Sequence, residues 1–298
     1  MNHRPILPLM LLMTVLIAVF FLLNLLLGSV DIPLRSVCRI LAGGTDELVV
    51  WQNIVWKSRV PQALTALVAG AGLSVSGLQM QTVFRNPLAD PSVLGVSSGA
   101  SLGVAMVVLL SGAVGGVALS RLGYLGEVAL SLAAIVGAMS VMALIVYVSM
   151  KVRGNVTLLI IGVMIGYVAN AVIGVLKFFS VEEDIRAYVI WGLGSFARVS
   201  GDQMLLFVGI MAVLLPLSFL LIKTMNLLLL GNSYARNLGL NIRRARLLVI
   251  FCSGVLVAIV TAYCGPIMFL GLAVPHLCRA IFRSSDHRVL MPATLLTG

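Results

Sequence analysis

Apolar segments long enough to cross a lipid bilayer recur along the whole chain. An α-helix needs about 20 predominantly apolar residues to span the hydrocarbon core of a membrane, and seven segments of the 298-residue sequence meet this requirement. They cover residues 6–27, 60–84, 93–114, 125–149, 156–179, 203–222 and 247–264. Because helices satisfy their own backbone hydrogen bonds in lipid, the sequence predicts an all-α, polytopic transmembrane bundle that forms one domain over residues 1–298.

Two further helices are expected towards the end of the sequence. Residues 267–282 form a shorter apolar segment that Pro275 interrupts, and another apolar segment begins near Val289. The sequence stops at Gly298, about half-way through the length that a spanning helix needs. We therefore expect the chain to be truncated in about its ninth helix, with the C-terminal helices missing.

The composition excludes an ordinary soluble domain. Only 10% of the residues are charged and 60% are hydrophobic, whereas a soluble domain has about 25% charged residues. The first apolar segment is longer than the core of a signal peptide, and no small-residue cleavage site follows it closely. It is therefore interpreted as a spanning helix.

The basic residues predict the orientation in the membrane. If the N-terminus is cytoplasmic and the segments alternate, 12 of the 20 Lys and Arg residues lie on the inner side and 8 on the outer side. The positive-inside rule favours this arrangement. The net charge of +10 then follows from membrane topology, and nucleic acid is not expected as a partner.

Three classes of membrane protein were compared. A carrier driven by an ion gradient usually holds an ionisable or cation-coordinating group near the midplane, and no acidic residue lies in the middle of a predicted helix. A membrane enzyme needs a cluster of catalytic side chains at one face, and the sequence shows none. The spacing of His276, Cys278 and His287 matches no metal chelate, so neither a metal site nor a cofactor is predicted.

Two interruptions between the apolar segments carry information. One contains Asn86-Pro87 and Asp90-Pro91, whose prolines end one helix and delay the next. The other is the longest predicted inner loop, residues 224–246, where an expected short helix near residues 228–240 carries the apolar groups of Tyr234 and Leu238, with Asn232 or Ser233 as its cap. That helix either docks in a groove of a cytosolic partner or lies on the lipid surface.

The fifth apolar segment carries small residues at every fourth position. They are Gly162, Gly166, Asn170 and Gly174. Such a stripe either lets a neighbouring helix pack closely or lines a polar pathway around Asn170. We predict that it lines the pathway, since small side chains leave room for a bulky substrate.

Together these segments resemble the iron-chelate and vitamin B12 permease family of ABC importers over nearly the whole chain. The motifs that carry the resemblance are Arg59-Val60-Pro61, Gln79, Asn86 to Pro91, Gly95 to Ala100, Ala235 to Gly239, Gly265-Pro266, Pro275-His276 and Asp286-His287-Arg288. The chain departs from the family pattern at Gln62, where a second arginine is common, and at Met268, where glycine is usual.

The resemblance implies a complete protein of about ten helices, arranged as inverted repeats. It also implies a homodimer in the cell inner membrane, with two cytosolic ATPase subunits and an external substrate-binding protein. The chain contains no Walker A motif, so ATP hydrolysis is assigned to the ATPase partner and the chain is not expected to be an enzyme. The expected substrate is an iron chelate, with a ferric siderophore ahead of haem or cobalamin.

The resemblance further assigns roles to residues. Lys57 and Arg59 are expected to dock the substrate-binding protein, the alternative for Arg59 being an anchor at the lipid interface. The inner exit is expected at Asn155, Val156 and Thr157, which alternatively cap the fifth helix. The residues expected to contact the ATPase are Gly231, Tyr234, Ala235, Arg236, Leu238 and Gly239.

Overall fold

The structure is a computed structural model that describes residues 6–44, 47–113, 124–152, 155–199 and 201–298. Within these ranges the chain is helical and contains no β-strand, which confirms the all-α prediction. A π-helical segment, Val55–Arg59, joins α3 to α4, and two 3-10 helices cover Pro91–Leu94 and Phe196–Arg198. The helices are α1 (Ile6–Leu26), α2 (Leu34–Leu41), α3 (Val49–Ile54), α4 (Val60–Phe84), α5 (Val96–Ala113), α6 (Tyr124–Lys151), α7 (Asn155–Phe178), α8 (Glu182–Gly192), α9 (Gly201–Phe219), α10 (Ile222–Leu229), α11 (Asn232–Asn237), α12 (Ile242–Cys264), α13 (Leu270–Phe282) and α14 (His287–Thr297).

Five of the described helical segments are long and apolar enough to cross a membrane. A sixth span results if α9 and α10, which bend by 44° where they meet, are taken together. The shorter apolar helices α5 and α13 lie at two further predicted positions. Each of the nine apolar segments found in the sequence thus contains a helix.

The boundaries differ from the predicted ones where polar residues begin a helix. Helix α12 starts at Ile242, before the predicted apolar segment, because the side chain of Asn241 accepts a hydrogen bond of 3.1 Å from the amide of Arg244. This side chain caps the first turn, which a hydropathy pattern does not detect.

Helix α4 forms the centre of the bundle, and most of its residues are buried against α9, α12, α13 and α14. Near its middle, Ser76 and Ser253 of α12 bind each other reciprocally. Each hydroxyl reaches the carbonyl of the other residue, at 3.0 and 3.1 Å, and the two oxygens lie 2.6 Å apart. These hydrogen bonds join α4 to α12 near the middle of both helices.

Helices α5 and α6 pack with their backbones in contact. A Cβ atom at Gly103 would overlap the carbonyl oxygen of Ala133, and one at Gly137 would overlap that of Gly99. Small residues at a helix interface permit such an approach in lipid. Gly99 and Gly103 therefore form a packing site that the sequence analysis did not identify.

A larger residue at Gly103 is expected to separate α5 from α6. We predict that Gly103→Leu strongly lowers the yield of folded protein, because backbone atoms on α6 have no rotamer that relieves the overlap. The control is Gly209→Leu on α9, where a Cβ meets nothing within 4 Å. Size-exclusion chromatography of both variants measures the difference, and equal yields would contradict the packing.

Candidate coupling and translocation site

A short helix with an exposed apolar edge lies between α10 and α12. Tyr234 in α11 is 59% exposed, and Leu238, directly after the helix, is 56% exposed. Ala235 between them is fully buried. Gly231 and Gly239 flank the helix with φ angles of +105° and +85°, a region that glycine adopts without strain. Arg236 is exposed as well, so the helix presents apolar and basic groups outwards.

The start of α11 differs from the prediction that Asn232 or Ser233 caps it. Gly231 occupies the capping position, and no side chain caps the helix. Instead, the side-chain oxygen of Asn232 accepts hydrogen bonds from Arg85 at 3.1 Å and Arg246 at 3.2 Å. Asn232 therefore joins α11 to the end of α4 and to α12.

A second set of hydrogen bonds joins α10 to α4 and α14. The buried imidazole of His287 lies 2.8 Å from the hydroxyl of Thr82 and 2.7 Å from the side-chain oxygen of Asn226, which also accepts from the amide of His287 at 2.9 Å. The side-chain nitrogen of Asn226 donates a hydrogen bond of 2.7 Å to the carboxylate of Asp286.

The carboxylate of Asp286 fixes the start of α14. It accepts a hydrogen bond of 2.9 Å from the amide of Arg288. That bond holds the pKa of the Asp286 carboxyl below its usual value, and the side chain of Asn226 acts in the same direction, although partial burial opposes them. The motif Asp286-His287-Arg288 of this network is part of the sequence resemblance. No sequence motif points to Thr82 or Asn226.

The motif loop after α4 is an ordered turn. Asn86 accepts a hydrogen bond of 3.0 Å from the amide of Leu88. Asp90 accepts one of 2.9 Å from Ser92 and thereby caps a short 3-10 helix, Pro91–Leu94. The loop delivers Gly95 against α7, where a Cβ atom would lie 3.0 Å from the carbonyl of Gly162. Asn86, Pro87, Asp90 and Pro91 thus position α5 relative to α7.

The four-residue stripe of α7 does not lie on one exposed face. Gly162 and Gly166 are buried, and a Cβ at Gly166 would lie 3.3 Å from the hydroxyl of Ser98, whereas Asn170 and Gly174 are exposed. A four-residue step exceeds one helical turn by about 40°, so the stripe rotates from the packed side to the open side. The four residues predicted to line the pathway therefore comprise two buried and two exposed positions.

The residues predicted at the inner exit begin α7. Asn155 and Val156 are its first residues, and their side chains lie outside the part of the chain that the structure describes. Thr157 is exposed.

Arg59 is buried, with only 5% of its surface exposed. Its guanidinium donates to the carbonyls of Leu25 and Leu26, each at 2.8 Å, and to that of Val30. Carbonyls in the last turn of a helix lack intrahelical donors, and Arg59 supplies them at the end of α1. Arg59, which was expected to dock the substrate-binding protein, is thus bound within the chain, and Lys57 is the exposed cation of the pair.

Removal of the Arg59 guanidinium is expected to destabilise the junction of α1 and α4. We predict that Arg59→Met lowers the thermal unfolding temperature by several degrees, since it leaves three carbonyls without their donor at a cost of about 2–4 kcal/mol. Lys57→Met is the control, because Lys57 is exposed. Equal midpoints for the two variants would argue against this anchor.

The sequence matches the model of the FecCD transport family over residues 16–298. The hemin transport system permease protein HmuU of Yersinia pestis is 35% identical over 250 residues, which cover 84% of this chain and 71% of the relative. The vitamin B12 import system permease protein BtuC of Klebsiella pneumoniae is 36% identical over 247 residues, which cover 83% and 71%.

A solved structure shares the fold. It is a metal-chelate type ABC transporter in an inward-facing conformation, with a TM-score of 0.81 and 29% sequence identity over 97% of this chain and 86% of that one. The match to this structure agrees with the all-helical bundle. The chain belongs to the FecCD transport family and is a permease subunit of an ABC importer.

Proposed function

We propose that this permease imports an iron chelate across the cell inner membrane, as a homodimer with two cytosolic ATPase subunits and an external binding protein. One observation carries the proposal: α11 exposes Tyr234 and Leu238 while hydrogen bonds join α10 and α11 to α4, α12 and α14. A surface that docks the ATPase is thus attached to the helices that must move. The ATPase carries out the hydrolysis, and the N-terminus is cytoplasmic.

The network suggests how motion is transmitted. Closure of the ATPase subunits pushes α10 and α11 as one unit, since Leu228 and Asn232 both accept hydrogen bonds from Arg85. The movement passes through Thr82 and His287 to the ends of α4 and α14, as a rigid-body shift between two packed states. The inner exit at Asn155, Val156 and Thr157 widens or narrows in response.

The substrate is proposed from the relatives together with the channel face. The relatives are named for hemin and vitamin B12, and the solved neighbour for a metal chelate. Gly174 and Asn170 offer a large chelate room and few strong contacts, which suits a path that must release its cargo. A ferric siderophore is our first candidate, and haem and cobalamin are the alternatives.

Uptake into proteoliposomes tests the proposal. The transporter is reconstituted with ATP inside and the cognate binding protein outside, and labelled ferric siderophore, hemin and cobalamin are supplied in turn. ATP-dependent uptake of the siderophore alone supports the first candidate, and uptake of hemin or cobalamin selects an alternative. Uptake that follows an imposed ion gradient without ATP would indicate a secondary carrier and contradict the proposal.

The external binding protein is proposed to dock at the end of the bundle that contains Lys57. Charges at the rim of an interface mainly accelerate encounter, and salt screens them. We predict that Lys57→Glu slows association several-fold at low salt and that the difference shrinks as salt rises. Stopped-flow measurements at two salt concentrations check this, and an unchanged rate would remove Lys57 from the interface.

A further inference from the structure

A cavity of about 700 Å³ opens at the end of the bundle that carries α11. The last turns of α4 and α6, the starts of α7 and α12 and helix α11 surround it. Four basic side chains line it: Lys151, Arg236, Arg243 and Arg246. Among the lining residues that the structure describes, none is acidic.

The arginines are held by neutral acceptors. Arg243 donates to the carbonyl oxygen of Met150 at 2.6 Å, and Arg246 to the side-chain oxygen of Asn232 at 3.2 Å. The ion pair found in the described ranges, between Arg39 and Glu47, involves neither of them. The guanidinium groups are therefore oriented without being neutralised, which favours an anionic ligand.

Most of the other lining residues are apolar, and the exceptions are Ser149 and Asn232. Phe84, Leu158 and Ile250 form part of the wall. Each of these residues is largely buried by packing within the helix bundle. A site with basic groups at its rim and hydrocarbon on its walls matches a molecule that has an anionic head and an apolar chain. Basic pockets between spanning helices on the cytoplasmic side are suited to anionic headgroups, and the arginine fork matches phosphate.

We propose that this cavity binds the headgroup phosphate of an anionic glycerophospholipid, and that an acyl chain of the lipid lies against the apolar wall. The lipid bridges α6, α11 and α12 and steadies the helix that docks the ATPase. The apolar wall favours a lipid over free phosphate. The position of the cavity between spanning helices favours a lipid over an acidic segment of the ATPase.

Thermal unfolding of the full protein in mild detergent tests the site. Phosphatidylglycerol is expected to raise the midpoint by several degrees more than phosphatidylcholine does. Arg246→Gln is expected to abolish this preference, while Arg246→Lys, which keeps the charge, retains most of it. The matched control is Arg244→Gln, which removes one charge from an exposed position of the same helix outside the cavity.

Four results would overturn the proposal. Equal midpoints with the two lipids would show that the protein has no preference for an anionic headgroup. An equal loss of the preference in Arg244→Gln and Arg246→Gln would show a nonspecific charge effect. An equal gain from inorganic phosphate alone would assign the site to a free anion. Loss of ATPase co-purification by Arg246→Gln with an unchanged lipid preference would assign the cavity to the ATPase contact.

Discussion

Replacement of both Tyr234 and Leu238 by aspartate is expected to release the ATPase and to abolish ATP-driven uptake. Both side chains stand out from the protein surface, and a groove on a partner would bury them. Burial of each contributes about 1.5–3 kcal/mol, and a carboxylate placed in the groove loses its hydration. A loss of about 4 kcal/mol weakens binding about a thousandfold.

A pull-down of the ATPase with the detergent-purified permease measures this effect. The membrane fold should be preserved, because neither side chain contributes to the core. Ser233→Asp is the control, since it adds one negative charge to the same helix and leaves both apolar groups in place. If the double variant still co-purifies with the ATPase and supports uptake, α11 is an amphipathic helix that rests on lipid.

The spanning helices were predictable because lipid imposes a minimum length of apolar sequence. Their ends were less predictable, since they depend on individual side chains. Asn241 starts α12 early by capping it, and Asp90 inserts a 3-10 turn before α5. The bend between α9 and α10 lies within apolar sequence, where hydropathy stays high on both sides of the break.

The candidate site was predictable only in part. The exposure of Tyr234 and Leu238 agrees with the amphipathic spacing that drew attention to them. Arg59 was placed at the correct end of α4, but its burial depends on carbonyls about 30 residues earlier in the chain. Long-range pairing of this kind leaves no local pattern in one sequence. The bond between Asn226 and His287 was missed for the same reason.

The small residues at every fourth position of α7 turn gradually from the packed side of the helix to its open side. The bulk of the exposed surface of this helix lies on another side, and it is apolar. Ile160, Met164, Tyr167, Val175 and Phe178 fall within about a quarter-turn of one another, and each is more than half exposed. Lipid or a second copy of the chain covers this face, and we propose that part of it meets the second copy at the dimer axis.

Cysteines on this face of α7 are expected to join two permease subunits covalently. In a background without the native Cys38, Cys252, Cys264 and Cys278, Met164→Cys should form a disulfide dimer. We place Met164 next to the two-fold axis, where equal positions of the two copies come within the roughly 7 Å between Cα atoms that a disulfide needs. Thr157→Cys, one and a half to two turns nearer the inner exit, should form a dimer whose yield changes when ATP is added, since the ATPase moves that end of the helix. Val213→Cys is the control, because Val213 is as exposed as Met164 but lies on α9, outside the face of α7 proposed to meet the second copy. Non-reducing electrophoresis of native membranes measures the yields.

Equal dimer formation by Val213→Cys and Met164→Cys would mean that collisions alone cause the crosslinks. A Thr157→Cys dimer yield that does not change when ATP is added would place the gate elsewhere.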